Sequence, residues 1–425
     1  MEIQYFAGTD VGRKRSANED NFLIDKDLKL FVVADGMGGH ASGEVASAMA
    51  VHIVRDVVHG ERDILENYDD DDPRSHVEVC TLLEYAVHRA CEAIHEKGKV
   101  EPEKRGMGTT IVVLFIVGAR GFIAYVGDSR IYLLRGGVVY QLTEDHSLKN
   151  ELIRLGKIRP DEFEESPYAK LRNAMTRAVG VYDTVEVDTL DFDIIPGDSF
   201  LLCSDGLYEY LDDNDITKAI ALPEIREIPG RLIEAANTRG GKDNITAVVV
   251  QMVGEEDSDR AAEVNLTLDV LKAVSLFDTL SYQQLVRIMN VARQKPLSKG
   301  QKVFSEGDQG TELFVILKGR VELTKREVRV AVLEGGSHLG EMALIDASPR
   351  STSAIALEDV KLLSIHRHDF LEILRKEPPL AVKLLWAFVR VLAERLRATT
   401  AELTDVRSTQ LPDLTDEIKV DLFEG

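Results

Sequence analysis

The sequence predicts an α+β protein with two folded domains. The first is a layered arrangement of antiparallel strands with helices outside, and the second is a small β-barrel or jelly roll with flanking helices. Hydrophobic residues make up 44% and charged residues 29% of the 425 residues, which is typical of a globular chain. The length suits two or three domains. Near residue 254 the pattern changes from strands alternating with amphipathic helices to short strands separated by glycines.

The first domain, residues 1–253, contains the clearest periodicities. An apolar run at 31–34 predicts a buried strand, and apolar residues at every fourth position predict a helix over 43–58. Two pairs of apolar runs flank glycine-containing turns, at 109–126 and 131–142. They predict two successive β-hairpins.

The rest of the chain is predicted to contain a linker, a domain and a tail. Residues 254–265 are mostly acidic or small and predict a linker. The second domain covers 266–400, with helical spacing at 266–292 and 371–396 around the glycine-punctuated strands. The acidic residues 401–425 predict a loosely held tail.

Charge separates these segments and excludes some partners. The net charge is −22, from 73 acidic and 51 basic residues, and it divides as −17, −4, +4 and −5 over the four segments in order. Binding to nucleic acid or to anionic lipid needs clustered Lys and Arg, so neither partner is expected. The change of sign indicates two domains with different partners.

The remaining global features predict a cytoplasmic protein. The N-terminus has no charged-then-apolar signal pattern. The longest apolar run, 111–117, is far shorter than the roughly 20 residues of a membrane helix. Cys80, Cys91 and Cys203 have no metal-type spacing and predict reduced, packed thiols.

Five short segments of the first domain place an acid beside glycine, serine or asparagine, and several follow apolar strands directly. Each alone is usually an ordinary turn. Together they can converge at one end of a sheet, where clustered carboxylates need cations, and all-oxygen ligands favour Mg²⁺ or Mn²⁺. Two such ions can activate water toward a phosphorus atom, and Arg15 is a suitable cation for a phosphate. The segments are Arg15–Asp20, Asp35–His40, Gly127–Arg130, Ser204–Gly206 and Asp243–Asn244.

This ordered set, together with Gly108-Thr109-Thr110 and Ile245-Thr246, resembles the bacterial branch of the metal-dependent PPM family, the type-2C serine/threonine phosphatases. The resemblance covers about residues 3–252. It implies a β-sandwich flanked by helices, with two core Mn²⁺ or Mg²⁺ sites and possibly a third at one end. It also implies in-line attack on the phosphate by a metal-bridging hydroxide.

The resemblance assigns the core metal ligands by position. Asp35 would bridge the two core metals. Asp205 and Asp243 would complete the shell of one metal. The carbonyl of Gly36 and, through water, Glu19 would serve the other metal.

The resemblance also implies roles for other residues of these motifs. Asp20 would orient metal-bound water, Asp128 with Asp205 would bind a weaker third metal, and Arg15 would hold the phosphate. The general acid stays open, because some relatives have a histidine where this chain has Met37, and His40 is either the acid or structural. The segment 146–169 falls where these enzymes carry a mobile flap.

The second domain contains a separate pair of candidate residues. Glu341 and Arg350 suit a ribose hydroxyl and a single phosphate charge, although a surface loop would explain them equally well. Their context, from Lys299-Gly300 through Gly340 to Thr352, resembles the cyclic nucleotide-binding domain family over about 270–400. The resemblance implies a phosphate-binding cassette for a cyclic mononucleotide, without deciding between cAMP and cGMP. The cassette consists of Gly340, Glu341, Ala343, Arg350, Ser351 and Thr352. Trp386 is predicted to be either a lid over the base or, more commonly for such a residue, part of the core.

These features predict a metal-dependent phosphatase that hydrolyses phosphoserine and phosphothreonine in substrates of serine/threonine kinases. Cyclic nucleotide would regulate it through a shift of the helices at 371–396, in a direction that the sequence leaves open. A non-catalytic phosphatase-fold scaffold is the alternative, although Asp35, Asp205 and Asp243 are intact. A transcription regulator is not expected, because the residues after Thr400 are acidic and few for a DNA-reading motif.

Overall fold

The computed structural model describes residues 1–38, 42–171, 174–254, 258–346 and 348–410. The chain forms two compact units. The first unit contains Met1–Leu268 and Ser281–Asn290, and the second contains Asp269–Leu280 and the chain from Val291 onward.

The strands of the first unit form two antiparallel sheets. One has the order β1-β11-β10-β7-β8 and the other β2-β3-β5-β6-β9, with β4 paired to β3. The predicted hairpins are confirmed as β5–β6 and β7–β8. The strands are β1 Glu2–Asp10, β2 Asp20–Asp25, β3 Leu30–Met37, β4 Gly108–Thr109, β5 Ile111–Val117, β6 Arg120–Val126, β7 Arg130–Arg135, β8 Val138–Gln141, β9 Asp188–Asp193, β10 Ser199–Cys203 and β11 Ile245–Val253.

Aromatic side chains connect the two sheets. Tyr5 of β1 packs on Phe31 of β3, with ring centroids 5.6 Å apart. Phe192 of β9 packs on Phe200 of β10 at 5.8 Å. The sheets therefore stack as a sandwich with a buried apolar layer between them.

Helices cover both outer faces of this sandwich. α1 and α3 bury a face against β3, β5 and β6, and α5, α6 and α7 pack on β10 and β11. The predicted helix over 43–58 is confirmed as α1, and the predicted α+β layering is confirmed. The helices are α1 Ser42–Gly60, α2 Arg62–Glu66, α3 Pro73–Val100, α4 Leu148–Arg154, α5 Asp205–Tyr208, α6 Asp213–Ile220 and α7 Ile228–Arg239, with 3-10 turns at Pro102–Lys104, Pro160–Glu165, Ala169–Leu171 and Ile225–Glu227.

The predicted linker at 254–265 is wrong for its second half. Residues from Ser258 onward form α8, Ser258–Ala273. Ala261 and Val264 are buried, and they pack with Ile195 of the first unit. Ala261, Ala262 and Val264 are the only apolar side chains within this mostly acidic segment, which explains the error. α9, Tyr282–Val291, also belongs largely to the first unit.

The second unit has two small antiparallel sheets with the orders β12-β19-β14-β17 and β13-β18-β15-β16. Their inner faces share an apolar core around Phe314, Ile316 and Leu362, as the predicted jelly roll requires. The strands are β12 Ala292–Leu297, β13 Lys302–Phe304, β14 Glu312–Lys318, β15 Val321–Lys325, β16 Val328–Leu333, β17 His338–Leu339, β18 Ser353–Ala356 and β19 Val360–His366.

Helices flank this second sandwich as predicted. The short α10, Met342–Ile345, follows β17, and α11, Arg367–Lys376, ends just before α12, Pro378–Gln410. Prolines suit the first turn of a helix, which places the break where the sequence predicts it. Residues 401–410, the first part of the predicted tail, continue α12. Residues 411–425 lie outside the described part of the chain.

Two global expectations can be compared with the described residues. Among them, we find no helix with both the length and the apolarity needed to cross a bilayer. Cys80, Cys91 and Cys203 are all unpaired, and burial raises the pKa of the Cys203 thiol to about 12.

Candidate functional site

The predicted acidic residues lie at the same end of the first sandwich. Asp20 begins β2 and is the register partner of Asp35 in β3. Asp128 lies in the turn between β6 and β7, and Asp205 begins α5 directly after β10. Asp243 precedes β11. Strand ends of both sheets thus bring the five carboxylates together.

Glycines allow the loops at this end to approach closely. A Cβ atom on Gly36 would lie 2.2 Å from the carbonyl oxygen of Gly43, and one on Gly206 would lie 2.0 Å from that of Asn244. No side chain fits at these distances, so the backbone carrying Asp35 and Asp205 can reach its place only with glycine at both positions.

Asp20 is held by two hydroxyl groups. Ser204 and Thr246 each donate to Oδ2 of Asp20 at 2.7 Å. Burial raises the pKa of Asp20 to about 6, partly opposed by these two hydrogen bonds. Its other oxygen, Oδ1, is buried without a hydrogen-bond partner.

The other carboxylates repel one another. Burial, followed by the charges of Asp20, Asp205 and Asp128, raises the pKa of Asp35 well above its usual range. Burial and the neighbouring Asp128 and Asp243 do the same for Asp205, whose Oδ1 is also buried without a partner. The pKa of Asp128 rises to about 6, chiefly through burial and then through Asp145.

Arg15 neutralises part of this negative charge. Its Nη2 donates to Oδ2 of Asp243 at 2.6 Å, which raises the pKa of the arginine. About half of the Arg15 side chain is exposed. The guanidinium group of Arg15 therefore already pairs with Asp243, one of the predicted metal ligands.

The donor set fits hard divalent cations. All five acids supply oxygen, and two of those oxygens are buried without a donor. Burial and then mutual repulsion raise the pKa values of Asp35 and Asp205, and a bound cation would offset both effects. Within the described ranges, no three acidic, histidine or cysteine side chains converge on one point as a metal site does. Asp243, one of the predicted ligands, is paired with Arg15.

Glu19 and Gly36 lie beside these acids through main-chain contacts. The N–H of Gly36 donates to the carbonyl of Glu19 at 3.2 Å, and Ser47 Oγ donates to the same carbonyl at 2.6 Å. The Glu19 carboxyl group lies against Gly43, where an added Cβ would be 2.8 Å from its Cδ. Met37, which stands where some relatives have a histidine, ends β3, and His40, the candidate for the general acid, lies outside the described residues.

Several residues of the motifs position the acids, a role that the sequence did not predict for them. Asn244 accepts from the N–H of Glu19 at 2.8 Å and donates to the carbonyls of Val11 and Ala17. Thr110 Oγ1 accepts from the N–H of Asp35 at 3.0 Å and bonds Ser129 Oγ at 2.7 Å. The sequence signal that could have identified these residues is a hydroxyl or amide side chain next to a predicted acid.

A cleft of about 400 Å³ opens beside Asp128. Arg130 crosses it with two bonds to Asp145, at 2.7 and 2.9 Å, and lies 3.6 Å from the ring centroid of Tyr208. The predicted flap segment 146–169 contributes Ser147 and Lys149 to the same lining. Of the clustered acids, Asp128 lines this cleft.

In the second unit, the cassette surrounds a buried arginine. Arg350 donates to the carbonyl of Gly340 at 3.2 Å and to that of Glu312 at 2.7 Å, while its Nε is buried without a partner. Its guanidinium lies 4.3 Å from the ring centroid of Phe304. Gly340 has φ +78°, and a Cβ there would be 2.2 Å from Arg350 Nη1. This position therefore requires glycine.

Glu341 is already paired in this structure. It is 3% exposed, and its Oε1 accepts a hydrogen bond from Arg395 of α12. Arg395 also approaches His338 at 3.4 Å. Burial and this arginine together lower the pKa of His338 to about 4.

The other predicted cassette residues surround this pair. Ala343 is buried in α10, and its N–H donates to the carbonyl of Gly340 at 3.1 Å. Ser351 is exposed and Thr352 is partly buried, directly after Arg350. Trp386 is 71% exposed, so its predicted place in the core is wrong.

Comparison with protein families supports both assignments. Residues 7–246 match the family described as protein phosphatase 2C, which is more than half of the chain. Residues 294–377 match the cyclic nucleotide-binding domain. The fusion of these two domains is thereby confirmed.

Curated relatives match the first unit. The serine/threonine protein phosphatase PstP of Mycobacterium tuberculosis is 36% identical over 253 residues, which are 60% of this chain and 46% of PstP. The chain thus spans about half the length of that relative. Protein phosphatase PhpP of Streptococcus pneumoniae is 37% identical over 266 residues, 61% of this chain and 100% of PhpP.

Solved structures agree with the sequence relatives. A crystal structure of M. tuberculosis PstP/Ppp has 36% identity and a TM-score of 0.51, covering 59% of this chain and 99% of that one. The PstP catalytic domain in complex with two manganese ions has 35% identity and a TM-score of 0.50, covering 59% and 99%. The motifs, the sandwich and these matches together lead to one conclusion: the chain belongs to the protein phosphatase 2C family and carries a C-terminal cyclic nucleotide-binding domain.

Proposed function

We propose that this protein is a Mn²⁺- or Mg²⁺-dependent phosphatase that hydrolyses phosphoserine and phosphothreonine in proteins. The observation that carries the proposal is the clustering of five carboxylates at one end of the sandwich beside Arg15, close enough to repel one another and with two buried oxygens that have no partner. The reaction consumes water and releases phosphate and the free hydroxyl of the substrate residue. The manganese ions named for the PstP structure support the metal assignment.

Asp35, Asp205 and Asp243 would hold the two core ions with Gly36 and Glu19, and Asp128 would hold a third. Bound Mn²⁺ or Mg²⁺ supplies a water-derived nucleophile at neutral pH and neutralises phosphate charge. Arg15 would bind the phosphoryl group, since its exposed guanidinium can exchange Asp243 for phosphate oxygens. Asp20 would orient the attacking water through Oδ1, because Ser204 and Thr246 fix its other oxygen.

The test replaces Asp205 by Asn and measures both phosphopeptide hydrolysis and Mn²⁺ binding by calorimetry. We expect turnover to fall at least roughly a hundredfold and Mn²⁺ binding to weaken, because a ligand charge is lost. Asp27→Asn is the matched control, since Asp27 is exposed beyond the opposite end of β2. Wild-type protein that is inactive with every divalent metal would overturn the proposal in favour of a non-catalytic scaffold.

We further infer that cAMP or cGMP binds the cassette and regulates the phosphatase. The buried, unpartnered Nε of Arg350 supports this inference, because a cyclic phosphate would supply its missing acceptor. Glu341 would accept the ribose 2′-hydroxyl after Arg395 releases it. A movement of α12 on release of Arg395 is the proposed start of the regulatory change.

Calorimetric titration of cAMP and cGMP into wild-type protein and Arg350→Ala tests binding. Phosphopeptide turnover across the same titration tests regulation. We expect saturable binding that Arg350→Ala abolishes, together with a changed rate. Binding without any change in rate would contradict the regulation and leave the phosphatase proposal standing.

The proposed partners follow from these activities. Substrates would be proteins phosphorylated by serine/threonine kinases in the cytoplasm. Three unpaired cysteines and the strongly acidic composition support a reducing compartment without nucleic acid as a partner.

A further inference from the structure

α9 packs into the phosphatase unit although both of its flanks belong to the other unit. Asp269–Leu280 precedes it, and the chain from Val291 onward follows it. One face of this helix is buried, through Tyr282, Gln283, Leu285, Val286 and Ile288.

The polar member of this face, Gln283, holds two parts of the first sandwich. Its side-chain Nε2 donates to the hydroxyl of Tyr125 at 3.0 Å and to the carbonyl of Leu142 at 3.2 Å. Tyr125 is two residues before Gly127, which begins the Asp128 turn. Leu142 leads from β8 toward the predicted flap segment.

Tyr125 supports His146. Their rings stack with centroids 5.4 Å apart at 19°. His146 Nδ1 accepts from the N–H of Gly127 at 3.0 Å. Its Nε2 lies 3.2 Å from Oδ2 of Asp188 and 3.2 Å from Nη1 of Arg177.

The main chain of His146 reinforces this arrangement. Its N–H donates to the carbonyl of Gly127 at 2.9 Å, and its carbonyl accepts from the N–H of Thr176 at 2.8 Å. Leu148 and Ala174 are joined in the same way at 2.8 Å. His146 therefore links the Gly127–Asp128 turn to both ends of the segment that lines the cleft.

α9 is fixed at both ends along the sandwich edges. Tyr282 stacks on Tyr140 of β8 with centroids 4.4 Å apart. Asn290 accepts from Arg120 at 2.9 Å and donates to the carbonyl of Asp191 in β9 at 2.8 Å. β8 and β9 are the terminal strands of the two sheets.

We propose that Gln283 is a positioning residue of the phosphatase site. It holds the Tyr125–His146 stack, which in turn sets the position of the Gly127–Asp128 turn and hence of the weaker metal site. The inference rests on the proposed function. Segments of the nucleotide-binding unit continue the chain from both ends of α9, the helix that carries Gln283.

The test compares full-length wild-type protein with Gln283→Ala. We expect the Mn²⁺ concentration for half-maximal activity to rise roughly fivefold, less than the 10- to 100-fold typical of residues bonded directly to metal ligands. Turnover at saturating Mn²⁺ should recover to within about twofold, because the metal ligands themselves are intact. Hydrogen exchange without metal should quicken in peptides covering Gly127–Asp128 and the 146–154 segment.

Asn290→Ala is the matched control, since it also removes side-chain bonds of α9 but lies at the other end of the helix. This variant should leave both the Mn²⁺ concentration for half-maximal activity and the hydrogen exchange unchanged. Tyr125→Phe is the milder second variant, keeping the ring and losing the hydroxyl. Combined with Gln283→Ala, it should add nothing to the effect of Gln283→Ala alone.

The positioning role would be overturned if Gln283→Ala and Tyr125→Phe changed neither the Mn²⁺ concentration for half-maximal activity nor the hydrogen exchange. Changes of equal size in Asn290→Ala would overturn it as well. The exchange measurement needs neither metal nor turnover. A failure of the phosphatase proposal would therefore appear as inactive wild-type protein, with the exchange difference still measurable.

Discussion

At the scale of single residues, the metal site depends on contacts that tolerate little change. Gly206 illustrates this, because any Cβ there would meet the main chain of Asn244 at 2.0 Å. Asn244 in turn holds Glu19 and the N-terminal loop. A displacement at Gly206 would therefore reach two of the predicted ligand positions.

We expect Gly206→Ala to destabilise the fold by about 1–3 kcal/mol through overpacking. Phosphopeptide turnover should fall roughly tenfold or more, because a displacement well below 1 Å already matters for catalysis. Gly230→Ala, in α7 with open space at its Cβ position, should be neutral or stabilising by up to about 1 kcal/mol. Equal effects of the two alanines, in denaturation and in turnover, would contradict this explanation.

His338 makes the second unit sensitive to acid. Its folded pKa of about 4 lies below the ordinary value of 6.5, so the unfolded chain binds the proton more readily between these values. Stability is therefore present at neutral pH and is lost as the pH falls below 6.5, by about 2 kcal/mol at pH 5. Denaturation at pH 8 and pH 5 should give this loss in wild-type protein and a smaller one in His338→Gln. An identical loss of stability in wild-type protein and in His338→Gln would mean that groups other than His338 cause it.

At the scale of elements, α12 packs on α11 and also places Arg395 in the cassette. Arg395 donates to Glu341, the residue proposed to accept the ribose hydroxyl. A bound nucleotide must therefore compete with part of this helix. Neither the 3.6-residue period of α12 nor the cassette motif contains this information, because it depends on the register between two distant segments.

We predict that Arg395→Ala binds cyclic nucleotide about fivefold more tightly, because the competing contact is lost. The unliganded protein should melt at a lower temperature, since Glu341 would stay buried without its partner. Arg397→Ala, an exposed arginine on the same helix, should change neither value. Calorimetric titration and thermal melting measure both effects, and weaker binding by Arg395→Ala would contradict the competition.

At the scale of the whole molecule, the chain alternates between its two units at residues 268, 280 and 290. Each unit has its own core and its own proposed ligand. Differential scanning calorimetry should therefore resolve two transitions. Mn²⁺ at a hundred times its dissociation constant should raise one of them by about 5 °C or more, and a cyclic nucleotide the other. Asp205→Asn should remove the shift caused by Mn²⁺, and Arg350→Ala should remove the shift caused by the cyclic nucleotide. A single transition whose temperature rises with either ligand would contradict independent units.

Local patterns in the sequence predicted much of the fold and of the site. The hairpins, α1 and the break before α12 follow from periodicity and turn residues. The acids at strand boundaries predicted the cluster, because in an antiparallel sheet the end of one strand lies beside the start of its neighbour, as for Asp35 and Asp20. Hydroxyl and amide partners such as Thr246 and Asn244 were visible as residues, but their roles depend on contacts between segments more than 200 positions apart.

The sequence by itself determined two domains, an acidic cluster and an anion cassette, since each is written in adjacent residues whose chemistry is local. Only the tertiary structure decided that α8 replaces half of the predicted linker and that Arg395 occupies Glu341. It also decided that α9 supports the Asp128 turn through Gln283, Tyr125 and His146. These features join residues far apart in the chain, and their energy appears only when burial removes water from both partners.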